Sequence, residues 1–242
     1  MKNLPVKFLE WDSEFFEKRI ARIITTNLSH ADAKLVCDWA VKERIDCLYY
    51  LASGLEINNT QPAEQNGFSF IDLRVTFIRD LSRPVLKYVP QYHIRRAGEG
   101  DLEELKSIVR WSFNLTRFKV DQNFDPARAD FMYEVWIEKD LFTEGHSVWV
   151  IEMDKRITAF CSISSSGDGC AKIGLVGSSP AYRGKGLSSS LQEYLGSELR
   201  NEGFASIEVV TQGRNIAAQN LYQRVGFLSR SIDLWYHKWF VY

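Results

Sequence analysis

Residues 183–188 read Arg-Gly-Lys-Gly-Leu-Ser and stand between a strand-like and a helix-like run. Glycines at 184 and 186 let backbone amides approach a ligand without side chains in the way. A helix beginning at Leu187 adds the positive end of its dipole. Arg183, Gly184, Lys185, Gly186, Leu187 and Ser188 together make a candidate cradle for a diphosphate. Taken alone, a glycine-rich turn with solvated basic residues explains the loop equally well. Two other phosphate loops fail. A Walker loop needs Gly at 179 and Ser or Thr at 186, where Ser179 and Gly186 stand, and a dinucleotide fingerprint needs a third Gly where Ser189 stands.

The second chemical feature is the run from Asn215 through Ala218, Leu221 and Tyr222 to Gly226-Phe227. Read as a helix, it puts Ala218, Leu221 and Val225 toward a sheet. Tyr222, seven residues after Asn215, shares that residue's face. Alone, Tyr222 reads as a core or rim tyrosine. Together the two runs resemble the GNAT acetyltransferase superfamily, through its R-G-x-G pyrophosphate motif and its N-x-x-A-x-x-L-Y-x-x-x-G-F motif. Ser188 stands where the family usually has Gly or Ala.

The resemblance implies a GNAT fold: a mixed, mostly antiparallel sheet flanked by helices. It implies acetyl-CoA as co-substrate, with no metal. The cradle and Asn215 would bind the coenzyme, and the backbone of Leu175 and Val176, on a strand splayed from its neighbour, would hold pantetheine. Tyr222 would protonate the departing thiolate. The chemistry is matched, since a thiol has a pKa of about 8.5 and a phenol of about 10. The amine would attack directly, through a tetrahedral intermediate. No carboxylate lies on the 171–176 strand, so a water chain is the expected proton acceptor, with Glu208 as a possible helper. No cysteine adjoins either motif, which disfavours a cysteine relay.

Leu9-Glu-Trp-Asp-Ser-Glu-Phe-Phe16 with Ile20-Ala-Arg22, and Thr116-Arg117-Phe118 with residues 131–137, resemble the dTDP-fucosamine acetyltransferases. That likeness implies a nucleotide-linked amino sugar (a dTDP-4-amino-4,6-dideoxyhexose) as acceptor. Arg117 could meet its diphosphate, and Phe118, Tyr133 and Trp136 could face base and sugar. Helix packing is the competing explanation for these aromatics, and the better one for Phe131, Ile137, Trp11, Phe15 and Phe16. His30, His93, His146 and His237 read as structural. The rivals are a GNAT enzyme for another small-molecule or peptide amine, and a non-catalytic acetyl-CoA sensor. The retained Tyr222 argues against the sensor.

The elements that must position these residues follow from pattern. An N-terminal α/β domain, residues 1–88, is expected to hold strands at 20–26, 47–52 and 68–77 and a helix at 31–43. The segment Ser82–Gln91, with two prolines, marks the boundary. Residues 89–242 form the acetyltransferase domain: helices at 101–113 and 125–140, strands at 147–152, 156–164 and 171–176, a loop at 165–169, helix 187–201, strand 207–211, helix 215–225 and final strands at 227–240. Leu187, Leu191, Tyr194, Leu195 and Leu199 make one apolar stripe. The stretch Asn66-Gly67-Phe68 before one strand echoes Val225-Gly226-Phe227 before another, so the first domain could be a degenerate GNAT-like half.

Composition sets the outer limits. The chain has 242 residues, 45% hydrophobic and 25% charged, with a formal net charge of -1, as in ordinary globular proteins. No basic excess points to nucleic acid. Four scattered cysteines lack zinc spacing. The N-terminus carries charges and a proline where a secretory apolar core would stand, and no run suits a membrane span, so the cytoplasm is the expected address. Homodimerisation is left open.

Overall fold

The computed structural model describes residues 4–56, 60–82, 90–165 and 167–242. Residues 83–89 of the expected boundary segment, and Ser166 of the expected loop, lie outside the described residues. In chain order the elements are β1 (Val6–Phe8), α1 (Glu10–Phe16), β2 (Ile20–Ile23), α2 (His30–Lys42), β3 (Cys47–Ser53), α3 (Gln61–Gln65) and β4 (Ser69–Asp80). Then come β5 (His93–Arg96), α4 (Leu102–Arg110), α5 (Arg117–Val120), α6 (Pro126–Phe142), β6 (His146–Met153), β7 (Arg156–Ser165) and β8 (Cys170–Ser178). The chain ends with α7 (Leu187–Asn201), β9 (Ser206–Gln212), α8 (Ile216–Arg224) and β10 (Leu228–Trp239). The ten strands form one mixed sheet, in the order β1-β2-β3-β10-β4-β9-β8-β7-β6-β5.

Local chemistry explains most of these elements. In α7, Leu187, Leu191, Leu195 and Leu199 recur every fourth residue and are buried, each contributing about 1.5–3 kcal/mol. Helix α6 starts where Asp125 accepts the Ala127 amide at 2.9 Å, with Pro126 in the first turn. Ser29 caps α2 through the Asp32 amide at 3.1 Å. Strand β3 is buried on both faces along Cys47–Ala52, as a run of consecutive apolar residues predicts for a covered central strand.

The two sequence halves interlock by exchanging strands. β2 and β3 are parallel and flank α2; β8 and β9 are parallel and flank α7. After α3 the chain turns through Gly67 (φ 76) into β4; after α8 it turns through Gly226 (φ 87) into β10. Both glycines take left-handed backbone, which favours glycine. β4 then pairs with β9, β10 pairs with β3, and β4 and β10 pair with each other, all antiparallel. The Gly-Phe echo therefore marks equivalent positions in two similarly wound halves.

Helices cover both faces. One core holds Leu191, Leu195, Phe77, Tyr222 and Phe227 under α7 and α8. A second, holding Ala33, Val36, Tyr50, Phe68 and Tyr236, lies under α2 and α3. The opposite face packs Phe16, Tyr49, Phe118, Phe124, Met132, Tyr133 and Leu175 beneath α1, α4, α5 and α6. Elements β1, α1, α3, β5 and α5 lie beyond the sequence reading, and two expected elements differ in form. Helix α4 begins at Leu102, because Asp101 instead takes Arg95 in a two-pronged pair at 2.7 and 2.9 Å. The final strands are a single twelve-residue strand, β10, with irregular register at Ser229/Ser231 and Trp235/Tyr236.

Candidate active site

Strands β8 and β9 pair from Cys170↔Ser206 to Ile173↔Val209 and then part. Beyond that point β8 follows β7 to Ala159↔Ser178, while β9 follows β4 to Arg74↔Gln212. The register shift supplies a cause: two steps along β7, Cys161 to Ile163, match three along β8, Val176 to Ile173. Such a bulge bends its strand and changes which face a side chain takes. Ala171 and Ile173 pack on the α7 side, Leu175 crosses to the opposite core, and Val176 returns. Gly174 is required here, because a Cβ would stand 2.7 Å from Ser162 Oγ and 3.2 Å from Asp140 Oδ2. On the facing edge Val210 is 38% exposed although its strand lies inside the sheet. The gap therefore has an open floor.

One expectation is corrected in this gap. The Leu175 amide donates to Ser162 Oγ at 2.8 Å, so it is not free to donate to a ligand. Val176 is half-buried beside the gap.

Beyond β8, a short turn at Pro180–Tyr182 leads into the cradle. Gly184 (φ 76) and Gly186 (φ 78) are left-handed, and a Cβ on either would meet nothing within 4 Å. Gly186 starts α7 with no side-chain cap, so the first amides of the helix, at Leu187 and Ser188, stay available to an anion. The Leu187 side chain is buried, so only its backbone can serve. Arg183 Nη2 donates to the Trp111 carbonyl at 2.7 Å, tying the loop to the end of α4. Lys185 lies 4.7 Å over the Tyr182 ring. The cradle residues thus come together at the mouth of the gap. Open left-handed glycines, an uncapped helix start and two cations fit a diphosphate, and the unpaired strand edge fits an amide-bearing arm such as pantetheine.

Asn215 caps α8 by accepting the Ala218 amide at 3.2 Å. That bond accounts for the residue, and its expected coenzyme role has no separate support. Tyr222 is 4% exposed, with its ring 5.9 Å from Phe77 and 5.6 Å from Phe227. Burial, with Cys161 nearby, pushes its phenol well above the usual value, so it retains its proton. Burial likewise raises the Cys161 thiol to about 12, which disfavours a thiolate nucleophile. Glu208 is paired with Arg230 at 2.9 Å and sits where β9 is still joined to β8 opposite Lys172, so it is a strand ion pair outside the gap.

The expected acceptor residues divide. Phe118 is 5% exposed, stacked against Phe16 at 5.1 Å and set edge-on to Phe124 at 5.3 Å. Its ring is part of the core, which corrects its assignment to the ligand. Tyr133 is buried and stacked on Phe113 at 4.4 Å; burial raises its phenol to about 12. Trp136 is partly buried and meets Tyr133 at 5.1 Å and Trp11 at 6.1 Å. Arg117 is the one with a polar setting. Its guanidinium lies 4.3 Å over Tyr49 and 4.4 Å over Trp235. It is 2.9 Å from His237 Nε2.

Arginine can only donate, so His237 Nε2 accepts and the ring proton sits on Nδ1. Nδ1 donates to Asp121 Oδ2 at 2.6 Å, and Trp239 Nε1 donates to the same oxygen at 2.8 Å. Burial, with Arg117 against the other nitrogen, lowers the His237 pKa to about 4 despite the Asp121 bond. Burial alone would raise the Asp121 carboxyl, but the hydrogen bonds from His237, Trp239 and Asn123 hold it near 2. His237 is indeed structural, but it also orients Arg117. The sequence reading missed Asp121, Tyr49, Trp235 and Asp72. Asp72 is 2% exposed and paired with Arg214 at 3.2 Å. A lone Asp in an apolar strand pattern was the only available signal for it.

Comparison with known proteins agrees with this geometry. The family model described as "Acetyltransferase (GNAT) family" matches residues 107–227, half of the chain. The spore coat polysaccharide biosynthesis protein SpsD of Bacillus subtilis is 23% identical over 153 residues, covering 63% of this chain. The match spans 53% of SpsD, about half its length. Streptothricin acetyltransferase of Escherichia coli is 28% identical over 125 residues, 49% of this chain and 69% of that protein. The solved GCN5-related N-acetyltransferase from Sphaerobacter thermophilus superposes with a TM-score of 0.68 over 97% of this chain and 76% of its own, at 14% identity, a likeness of fold. The matched segment contains the splayed strands, the glycine cradle and Tyr222, and the chain belongs to the acetyltransferase (GNAT) family.

Proposed function

We propose that the protein transfers an acetyl group from acetyl-CoA to the amine of a nucleotide-linked amino sugar. The observation that carries the transfer chemistry is the parting of β8 from β9 directly before an uncapped, glycine-opened helix. In this reading the cradle from Arg183 to Ser188 takes the coenzyme diphosphate, and the free edge beside Val176 takes its amide-bearing arm. Tyr222 keeps its proton until the thiolate departs. The amine reaches the gap from the face of α4, α5 and α6, where Val210 is exposed. A sugar amine with a pKa near that of an α-amine, about 8, is partly neutral at pH 7 and can lose its proton to water after attack.

For the acceptor, two supports converge. SpsD, by its name, acts in polysaccharide biosynthesis, and Arg117 presents a half-buried, held guanidinium among aromatic rings on the face of α1, α5 and α6. The likeness to streptothricin acetyltransferase favours a second reading, another small-molecule amine. A polycationic acceptor would meet Arg117 and Arg22 on this face, and their charge opposes it. The deciding experiment is release of free CoA thiol from acetyl-CoA across a panel of dTDP- and UDP-amino sugars, free amino sugars and polyamines. Turnover confined to free sugars or polyamines would overturn the nucleotide-sugar reading.

A further inference from the structure

Strands β2 and β3 of the first half carry buried donors that no group among the described residues satisfies. Register places Arg22 of β2 beside Tyr49 of β3, Tyr49 beside His237 of β10, and Trp235 of β10 beside Asp72 of β4. One row of side chains therefore crosses four strands on the face that α1, α5 and α6 cover. Over it lies Arg117, fixed by His237 and Asp121. The Arg22 guanidinium lies 5.1 Å from the Trp235 ring, which Arg117 also contacts.

The arginines here are not all paired directly. Arg74 is paired with Asp233 at 3.3 Å, and Arg214 with Asp72 at 3.2 Å. Arg22 and Arg117 form no ion pair among the described residues. Among the described residues Arg22 Nε is buried without a partner, and the hydroxyl of Tyr49, a residue 0% exposed, has no acceptor for its proton, only Arg117 beside it. Arg117 approaches Tyr49 but can only donate, so the Tyr49 proton finds no acceptor there. Asp12 faces both arginines, burial raising its carboxyl while Arg117 and Arg22 lower it, and Asp121 reaches Arg117 only through His237. Burial and the neighbouring Arg117 and Arg74 press the Arg22 pKa downward, against an opposing pull from Asp12. Buried polar groups are normally satisfied, and unsatisfied ones call for an explanation.

We propose that Arg22, Tyr49 and Arg117 bind a phosphate group of the acceptor, so that the N-terminal half builds part of the acceptor site. Two planar guanidinium groups and a phenol proton suit phosphate oxygens, which accept several charge-assisted bonds. The position is consistent. Trp235 lies two strands across from Val210 and four residues away along β4, since it pairs with Asp72 while Val210 pairs with Thr76; at ordinary strand dimensions that is about 16 Å, which leaves room for a sugar ring and its linked phosphates between an amine at the gap and the arginines. The identity of the phosphate as that of a nucleotide sugar rests on the function proposed above; the anion site itself does not.

The test uses the full chain saturated with CoA, so that the coenzyme cradle is already filled. A nucleoside diphosphate and inorganic pyrophosphate are titrated calorimetrically into wild type, Arg22→Gln and Tyr49→Phe. The inference expects binding to wild type and a Kd at least tenfold weaker in each variant, with acetyl-CoA affinity unchanged. Tyr49→Phe keeps the ring and its packing, so it tests the site even if Arg22→Gln folds poorly. Wild-type Kd values in a folded Tyr49→Phe, or no binding to wild type, would overturn the inference. If pyrophosphate binds in an Arg22-dependent way but no nucleotide sugar is acetylated, the anion site stands and the nucleotide-sugar reading fails. If nucleotide sugars are acetylated with an unchanged KM in both variants, the reverse holds.

Discussion

Replacing Tyr222 with Phe separates packing from proton transfer. The ring lies between Phe77 and Phe227 at 5.9 and 5.6 Å and is 4% exposed, and phenylalanine preserves those contacts. Among the described residues the hydroxyl makes no hydrogen bond, so its loss leaves no protein group unsatisfied. Stability should therefore change by about 0.5 kcal/mol or less. A positioned general acid contributes about 10²–10⁴-fold, which at 1.36 kcal/mol per tenfold is about 2.7–5.5 kcal/mol of barrier. The assay is thiol release under conditions where a pre-steady-state burst is absent, so that chemistry limits kcat. Tyr222→Phe should lower kcat within that range and leave both KM values nearly unchanged, because the bond is made in the transition state. The raised phenol pKa adds a second expectation. Wild-type kcat should show no loss from Tyr222 deprotonation up to about pH 10, the ordinary phenol value. A Tyr222→Phe enzyme with near-normal kcat would make solvent the proton source and leave Tyr222 a packing residue.

Four further outcomes follow from the geometry. Gly186→Val places a β-branched residue at φ 78, straining the loop by at least 1–2 kcal/mol (roughly) and crowding the cradle; the thermal shift given by acetyl-CoA should largely vanish, and an undiminished shift counts against the cradle. Arg117→Ala removes a charged donor, so the acceptor KM should rise about tenfold or more with acetyl-CoA affinity intact; a change confined to the coenzyme would assign Arg117 to the other site. Gly54→Ala would put a Cβ 2.1 Å from the Ile232 carbonyl oxygen, and since that backbone belongs to β10 the change should cost about 1–3 kcal/mol in urea unfolding. His237 has a folded pKa of about 4 against about 6.5 unfolded, so its contribution is present above pH 6.5 and is lost as pH falls toward 4, by about 3 kcal/mol at most. Asp121, held near 2 against about 3.9 unfolded, adds its own loss mainly below pH 5, so unfolding measured from pH 7 to 5 should show a shallower slope in His237→Gln, and an equal slope would refute the assignment.

Much of the glycine cradle and the helices beside it was legible in the sequence, because their signals are local. Glycines that need positive φ, the leucines spaced every fourth residue from Leu187, and Asn215 at a helix start each act within a few residues. Even the Gly67-Phe68 and Gly226-Phe227 echo could be read, since a left-handed glycine ending a helix is a local device. What the echo meant could not be read, because nothing local tells β10 to pair with β3, or β4 with β9. That exchange depends on which edges are left open once the parallel pairs form, and it brings residues as distant as Arg22, Tyr49, Arg117 and His237 onto one face. Phe118 and Arg117 show the limit most directly: they are neighbours in the chain, and only packing against Phe16 and Phe124 on one side and the Asp121–His237 pair on the other makes one a core ring and the other a held cation. The sequence by itself determined the coenzyme loop, its helix and the family. The face that gathers Arg22, Tyr49 and Arg117 was decided only by the tertiary structure, because its charges and rings come from strands that meet through long-range pairing.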